Sequence, residues 1–189
     1  MKARLVLPLV LAVAACGESQ PSKFYVLNAQ TFPEHASRAG ATTVALGAIN
    51  LPPALDRPQI ARRRGANEID YAEDERWAGA LDEMVRRVLA NDLAGQLPAG
   101  MTLVDNATAT PAALTVALDV SRFDADESGK TVLEVRWEIL GRDGPTGAAR
   151  QATIEEPGSG KAAAAIAASM SRALARLAAD IARGLPRRA

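Results

Sequence analysis

The sequence predicts an α+β domain with a mixed, mainly antiparallel sheet and two amphipathic helices packed on one face. Residues 114–123 and 131–140 alternate apolar and polar side chains, which is typical of antiparallel strands with one covered face. Residues 77–97 and 161–185 instead repeat apolar side chains at i, i+3 and i+4, as amphipathic helices do. Strands joined mostly by hairpins, with helices on one side of their sheet, define the α+β class.

Shorter apolar runs supply the remaining strands. They predict strands at residues 24–27, 42–49, 102–104 and 151–155. Residues 59–62 and 68–71 flank Gly65, so we expect a hairpin there. About seven strands and two helices then form one domain, because the sequence contains neither an internal repeat nor a long linker.

The first helix is expected to follow that hairpin. Acidic residues 73–75 suit the positive end of a helix dipole and place the helix start there, and Pro98 ends the helix. Asp92 lies inside the apolar arc of residues 77–97, so it needs a hydrogen-bonding partner if it is buried. The second helix, residues 161–185, closes the domain.

The N-terminal residues differ from this domain in composition. Lys2 and Arg4 precede an apolar run over residues 5–15. Such a run is too short to span a bilayer of about 30 Å as a helix. Small residues then lead to Cys16, the only cysteine, as in a bacterial lipoprotein signal. The sequence therefore predicts a signal peptide at 1–15, a lipidated tether at 16–22, a single domain at 23–185 and a tail at 186–189.

Acylation of Cys16 would anchor the chain permanently. A buried methylene contributes about 0.8 kcal/mol and one acyl chain binds only marginally, so two or three chains on one residue are needed. Gly17 stands where an aspartate would resemble an inner-membrane retention signal, so we expect the periplasmic face of the outer membrane. The alternative is an ordinary secreted protein with a chance cysteine at its cleavage site.

The composition excludes several kinds of function. Without residues 1–15 the chain has 174 residues, with 20 basic and 22 acidic side chains, a formal charge of −2. This balance gives no electrostatic reason to expect nucleic acid as a partner. A single cysteine and a single histidine, His35, leave no thiolate or two-histidine metal site. We therefore expect no metal and no cofactor.

Three partial motifs lack the residues that their chemistry requires. The segment 158–161 reads Gly-Ser-Gly-Lys, but Glu155 and Ala162 replace the glycine and hydroxyl of a phosphate-binding loop. Residues 124–129 resemble the front of a calcium loop, but Val135 stands at the position of its bidentate glutamate. The sequence contains no Gly-x-Ser-x-Gly nucleophile elbow whose serine His35 could activate. We interpret these segments as a flexible turn, a hairpin turn and an exposed loop, and we expect no enzyme.

One pattern is specific enough to suggest a family. Residues 51–63 read Leu-Pro-Pro-Ala-Leu-Asp-Arg-Pro-Gln-Ile-Ala-Arg-Arg, and Arg76-Trp77 follows at the expected helix start. Together with residues 120–124, Trp137 and the closing Ala-rich helix, this pattern resembles the PqiC-like family, the auxiliary lipoproteins of ABC-type transport systems.

The resemblance implies a part of an envelope lipid-transport system without enzymatic activity. Such a lipoprotein would sit at the outer membrane, receive the far end of a periplasmic tunnel of MCE domains (the mammalian-cell-entry type) and support membrane integrity. Because the tunnel is multimeric, a homo-oligomeric ring is also implied. Two alternatives remain open, namely a lipid-binding carrier lipoprotein and a pilotin-like assembly factor for an outer-membrane pore.

The family-like residues divide into two groups. The candidate contacts to a partner or another subunit are Asp56, Arg57, Gln59 and Arg63. For Arg57 an internal ion pair in a proline-fixed turn is the favoured alternative. The motif residues that we interpret as structural are Leu51, Pro52, Pro58, Arg76, Trp77, Asp92 and Trp137.

Overall fold

The computed structural model describes residues 21–32, 42–104 and 112–186, so the predicted lipidation site Cys16 and the loop residue His35 lie outside it. Within these ranges the chain forms nine strands and two α-helices. In chain order these are β1 (Lys23–Tyr25), β2 (Thr42–Asn50), β3 (Gln59–Arg64), β4 (Glu68–Trp77), α1 (Leu81–Ala94), β5 (Met101–Leu103), β6 (Leu114–Asp126), β7 (Thr131–Gly141), β8 (Gly144–Pro145), β9 (Arg150–Glu156) and α2 (Ala163–Gly184).

All of these strands belong to one mixed sheet whose longest ladders are antiparallel. β7 pairs with nearly the whole of β6 on one side, and with β8 and β9 on the other. The opposite edge of β6 is shared by two parallel strands, β2 along its first half and β3 at its end. β4 pairs antiparallel with β3, while β1 and β5 add short parallel ladders. The predicted mixed, mainly antiparallel sheet is thus confirmed.

A bulge in β6 keeps one face of this long strand apolar. Val120 pairs with Val135 and Arg122 with Glu134, so the register shifts by one residue between the two pairs. The shift directs Phe123, which is 1% exposed, to the same face as the apolar residues before the bulge. Arg122 is left on the opposite face, together with the other charged side chains of β6.

Both helices cover that apolar face, as the sequence predicts. α1 contacts β2 and β5, α2 contacts β6, β7 and β9, and the two helices contact each other. Their buried side chains join those of the sheet in one core cluster. Each large apolar side chain fully buried there contributes about 1.5–3 kcal/mol relative to an exposed one. The packing of the two helices against the sheet therefore stabilises the whole fold.

The prediction that the first helix begins at residues 73–77 was wrong. Residues 73–77 complete β4, and α1 begins at Leu81. The backbone of this segment is paired on both sides, with Tyr25 beside Trp77 on one edge and Gln59 beside Arg76 on the other. These sheet hydrogen bonds outweigh the helix-like spacing of the side chains, because helix propensity is only a weak preference.

Candidate functional site

The family-like segment between β2 and β3 forms an exposed turn, here called the motif turn (residues 51–58). It contains a single turn of 3-10 helix, Pro53–Leu55, in which the Leu55 N–H donates to the Pro52 carbonyl at 2.9 Å. Leu55 is buried and fastens the turn to the core, whereas Asp56 and Arg57 are exposed. Proline fixes the backbone φ on either side, so the turn presents these two charges from a stiff support.

Arg57 contacts an aromatic ring of its own chain. Its guanidinium lies 4.7 Å from the centroid of the Tyr71 ring in β4. The Tyr71 hydroxyl in turn donates to the Ala54 carbonyl at 2.9 Å, which joins the motif turn to the β3–β4 hairpin. The side chain of Arg57 is therefore oriented by a cation–π contact, and it forms no ion pair with any of the described residues. An exposed contact of this kind contributes about 0.5–1 kcal/mol.

A cleft of about 330 Å³ opens beside the motif turn. Its lining includes Leu51, Asp56, Leu81 and Asp82. The cleft therefore combines two carboxylates with apolar side chains. Among the described residues, no hydrogen-bond donor contacts the Asp56 carboxylate. Asp56 and Arg57 thus lie side by side on the surface, and the carboxylate remains available to a donor from another molecule.

The two separated parts of the family-like motif meet where β3 begins and β4 ends. Gln59, at the start of β3, pairs with Arg76 near the end of β4. The Trp77 N–H donates to the Pro58 carbonyl at 2.7 Å, and its side chain is only 4% exposed. The two separated parts of the motif therefore form one structural unit in which Trp77 is a core residue.

Arg63 lies on the face of the sheet that the helices leave uncovered, four residues farther along β3 than Gln59. Its guanidinium holds the Asp124 carboxylate at 2.7 Å, and Arg122 holds the same group at 2.8 Å. Asp124 is 2% exposed, so the two arginines compensate a buried charge. The hydrogen bond with Asp124 raises the pKa of Arg63, against the opposing effect of burial. The structure thus places Arg63 in an internal ion cluster.

Sequence reasoning missed this cluster of Arg63, Arg122 and Asp124. It assigned Asp124 to a hairpin turn, although residues 120–124 already belonged to the family-like pattern. The cluster borders a cleft of about 620 Å³ that also contains Glu134. The bulge in β6 brings Arg122 and Asp124 to the same face as Arg63. Its signal in the sequence is that Phe123 follows Val120 by three residues and not by two, whereas no local pattern indicates that β3 places Arg63 beside them.

The turn after β6 uses its acidic residue internally. Asp126 Oδ1 accepts hydrogen bonds from the backbone N–H groups of Ser128 at 2.8 Å and Lys130 at 3.1 Å. Burial acts to raise the pKa of Asp126, but a hydrogen bond from the Ser128 hydroxyl, together with these two backbone bonds and the charge of Lys130, outweighs it and the pKa is lowered. This is the geometry of an Asx-stabilised hairpin turn. Within the described ranges, no group of three or more potential metal ligands comes together.

Asp92 is fully buried in α1 and has the partner that its burial requires. Its Oδ1 accepts a hydrogen bond of 2.7 Å from the Gln30 N–H in the segment after β1. Oδ2 is buried without a hydrogen-bond partner among the described residues. Burial raises the pKa of Asp92 to about 6, although the bond from Gln30 acts in the opposite direction. The role visible here is structural.

Trp137 connects β7 to the end of α2. It is 3% exposed, and Gly184 lies so close that a Cβ atom there would be 2.4 Å from the indole ring. The Arg150 guanidinium covers the same ring at 5.2 Å from its centroid. The indole therefore fills a space that a glycine in α2 keeps open.

These features describe an α+β domain with a stiff, exposed motif turn and an internal ion cluster. Arg63 is held in this ion cluster, whereas Asp56 and Arg57 are exposed in the motif turn. Neither helix within the described ranges has the length and apolar character needed to cross a membrane. The chain belongs to the family of the ABC-type transport auxiliary lipoprotein component, whose profile matches residues 25–182. This is a family of transport accessory proteins and not of enzymes.

Two of the similar solved structures share the fold at low sequence identity. A protein of uncharacterised function is 17% identical, with a TM-score of 0.73 over 87% of this chain and 99% of its own. A Xanthomonas campestris protein of the DUF330 family is 19% identical, with a TM-score of 0.68 over 85% of this chain and 93% of its own. PelC of Paraburkholderia phytofirmans, a dodecamer, is 12% identical, with a TM-score of 0.37 over 80% and 90%. No curated protein matches the chain.

Proposed function

We propose that this chain is the outer-membrane-anchored periplasmic lipoprotein subunit of an MCE-type lipid transport system. In this role it docks the periplasmic tunnel to the outer membrane and supports envelope integrity. The observation that carries the proposal is the family match over residues 25–182, which names an auxiliary lipoprotein of ABC-type transport. The lipoprotein signal ending at Cys16 supports the anchor, and Gly17 favours the outer membrane.

The motif turn is the proposed contact surface for the tunnel protein or for a neighbouring subunit. It is stiff, it connects two strands, and it carries the exposed pair Asp56 and Arg57 beside a cleft of about 330 Å³. Gln59 is half-buried at its edge. Arg63 is less suited to this role, because its guanidinium already binds Asp124 at 2.7 Å. A homo-oligomeric ring would repeat this surface around the mouth of the tunnel.

The test is crosslinking in intact envelopes that carry a tagged form of the lipoprotein. The purified adducts are identified by mass spectrometry, and labelled palmitate measures acylation in the same cells. Recovery of an MCE-domain protein is the expected result, and a Cys16→Ser variant, which cannot be acylated, should lose both the label and the adduct. Recovery of only the lipoprotein and bound lipid would contradict docking and favour the carrier function.

A further inference from the structure

The large hydrophobic side chains that the described residues leave exposed are both in the first strand region. Phe24 is 64% exposed and Val26 is 45% exposed. They alternate with Tyr25, which is half-buried, and with Leu27, which is fully buried. Phe24 and Val26, here called the β1 apolar patch, therefore face outwards while their neighbours hold the strand in the core.

Four hydrogen bonds hold this segment rigidly in place. The Tyr25 carbonyl accepts from the Ala78 N–H at 2.8 Å, and the Leu27 carbonyl accepts from Arg87 at 3.0 Å. The backbone N–H groups of Asn28 and Gln30 donate to Ser171 at 3.1 Å and Asp92 at 2.7 Å. The patch is thus a fixed feature of the surface, because β4 and both helices hold the residues around it.

The surroundings of the patch are partly apolar as well. A groove of about 480 Å³ separates the strand from α2, and its wall includes Ala164, Ala167 and Ala168. The exposed Lys23 directly precedes Phe24. An aromatic and an aliphatic side chain next to a lysine match the boundary between the headgroups and acyl chains of a bilayer, where apolar side chains insert and cations meet phosphate.

We infer that the β1 apolar patch rests on the bilayer surface and orients the domain on the membrane. The inference rests on the lipid anchor of the proposed function. Phe24 comes eight positions after Cys16, and eight residues of fully extended chain span at most about 29 Å. The acyl chains would therefore hold Phe24 within this distance of the lipid, where a small apolar contact is sufficient because the anchor supplies a high effective concentration.

A second copy of the chain is a less suitable occupant of this patch. A stable protein interface buries about 1,200–2,000 Å² in total. Two side chains and a narrow groove provide a small part of that area. A bilayer contact has no such minimum, since each inserted side chain adds to the attachment that the acyl chains already provide.

The test uses the chain from Cys16 onwards, coupled through its only thiol to a maleimide lipid in vesicles of phosphatidylethanolamine and phosphatidylglycerol. A Phe24→Trp variant reports insertion through quenching by lipids with brominated acyl chains. The native Trp77 and Trp137 are 4% and 3% exposed and give a constant background. Ala148→Trp is the matched control, because it lies in the exposed loop between β8 and β9. We expect strong quenching in Phe24→Trp and none beyond background in Ala148→Trp.

A second measurement removes the patch. The double variant Phe24→Ser/Val26→Ser should lower the partition of the uncoupled domain onto the same vesicles by at least about tenfold. Its near-ultraviolet circular dichroism should be unchanged, since both side chains are exposed. Equal quenching at positions 24 and 148 would overturn the inference. So would a blue shift of Phe24→Trp that depends on protein concentration without vesicles, which would indicate self-association.

The chemical coupling separates this inference from the proposed function. Thiol coupling supplies the anchor whether or not cells acylate Cys16, so quenching tests the patch alone. Palmitate labelling in cells tests the anchor alone. Quenching without labelling would leave the surface assignment intact and contradict the lipoprotein anchor. Labelling without quenching would support the anchor and contradict the contact between the β1 apolar patch and the bilayer.

Discussion

At the scale of single residues, the carboxyl group of Asp92 has the most unusual surroundings. Its pKa of about 6 lies well above its ordinary value of 3.8 because the group is buried. Between these two pH values the folded protein keeps a proton that the unfolded chain releases. Asp92 therefore contributes stability at low pH that is lost as the pH rises through about 6. This difference between the two pKa values corresponds to about 3 kcal/mol in the free energy of unfolding.

The Asp92→Asn variant should remove this pH dependence. Asparagine keeps an oxygen for the Gln30 N–H but carries no charge to bury, so its stability should change less between pH 5 and pH 7.5 than that of the native chain. Urea unfolding at several pH values measures the effect. Asp82→Asn, on the exposed side of the same helix, is the control and should follow the native curve. Parallel curves for Asp92→Asn and the native chain would contradict the assignment.

The need for a partner at Asp92 could be predicted from the sequence, because a carboxylate inside an apolar arc is costly without one. The identity of that partner could not. Gln30 lies 62 residues away and donates through its backbone, so no side-chain pattern marks it. Similarly, Arg57 was expected in an ion pair, but the sequence does not reveal that Tyr71 from β4 lies under its guanidinium.

At the scale of secondary-structure elements, two turns pack against each other through glycine. A Cβ atom at Gly158, before α2, would lie 1.9 Å from the Gly129 carbonyl oxygen in the β6–β7 turn. Gly129 itself has a φ of +85°, which disfavours other residues. The segment that resembles a phosphate-binding loop therefore needs its glycine for close approach between two backbones.

Gly158→Ala should destabilise the fold, because the clash is with backbone and not with a movable side chain. We expect a loss of about 1–3 kcal/mol in the free energy of unfolding, the range for overpacked sites. Gly147→Ala is the matched control, since no atom lies within 4 Å of its Cβ position, and it should change little. Thermal unfolding of both variants measures the difference. Equal melting temperatures would show that the two turns separate without cost.

Helices and strands whose apolar residues recur at a regular spacing could be predicted from the sequence, whereas the elements that they pack or pair with could not. The alternation in residues 131–140 corresponds closely to β7, and the apolar spacing in residues 161–185 corresponds to α2. The start of α1 was misplaced because residues 73–77 satisfy helix rules locally. Pairing with β1 and β3 keeps this segment in β4, and pairing between distant strands leaves no local signal.

At the scale of the whole molecule, the motif turn exposes Asp56 and Arg57, and its backbone is held in place without their side chains. Arg57→Ala should weaken recovery of the crosslinked tunnel protein while leaving the melting temperature nearly unchanged. Its contact with Tyr71 contributes only about 0.5–1 kcal/mol at an exposed site. Asp56→Ala should behave in the same way, because no donor among the described residues contacts its carboxylate.

Arg142→Ala is the control for these variants. Arg142 is exposed in the turn between β7 and β8, away from the motif turn, so its removal should leave recovery of the complex unaffected. Quantitative mass spectrometry of the adducts and thermal unfolding of each purified variant provide the two measurements. Full recovery with Arg57→Ala and Asp56→Ala would exclude the motif turn as the contact surface. A large loss of stability in either variant would instead identify a structural role.

The arrangement of β6 also governs the order in which the chain can fold. β6 and β7 are adjacent in sequence and form their ladder through a short turn, so this hairpin can assemble early. β2 and β3 pair in parallel with β6, whose residues come more than 50 positions later in the chain. The strands β1, β4 and β3 can pair with one another before β6 exists, as can β2 and β5, but the two groups join into one sheet only when residues 114–126 arrive.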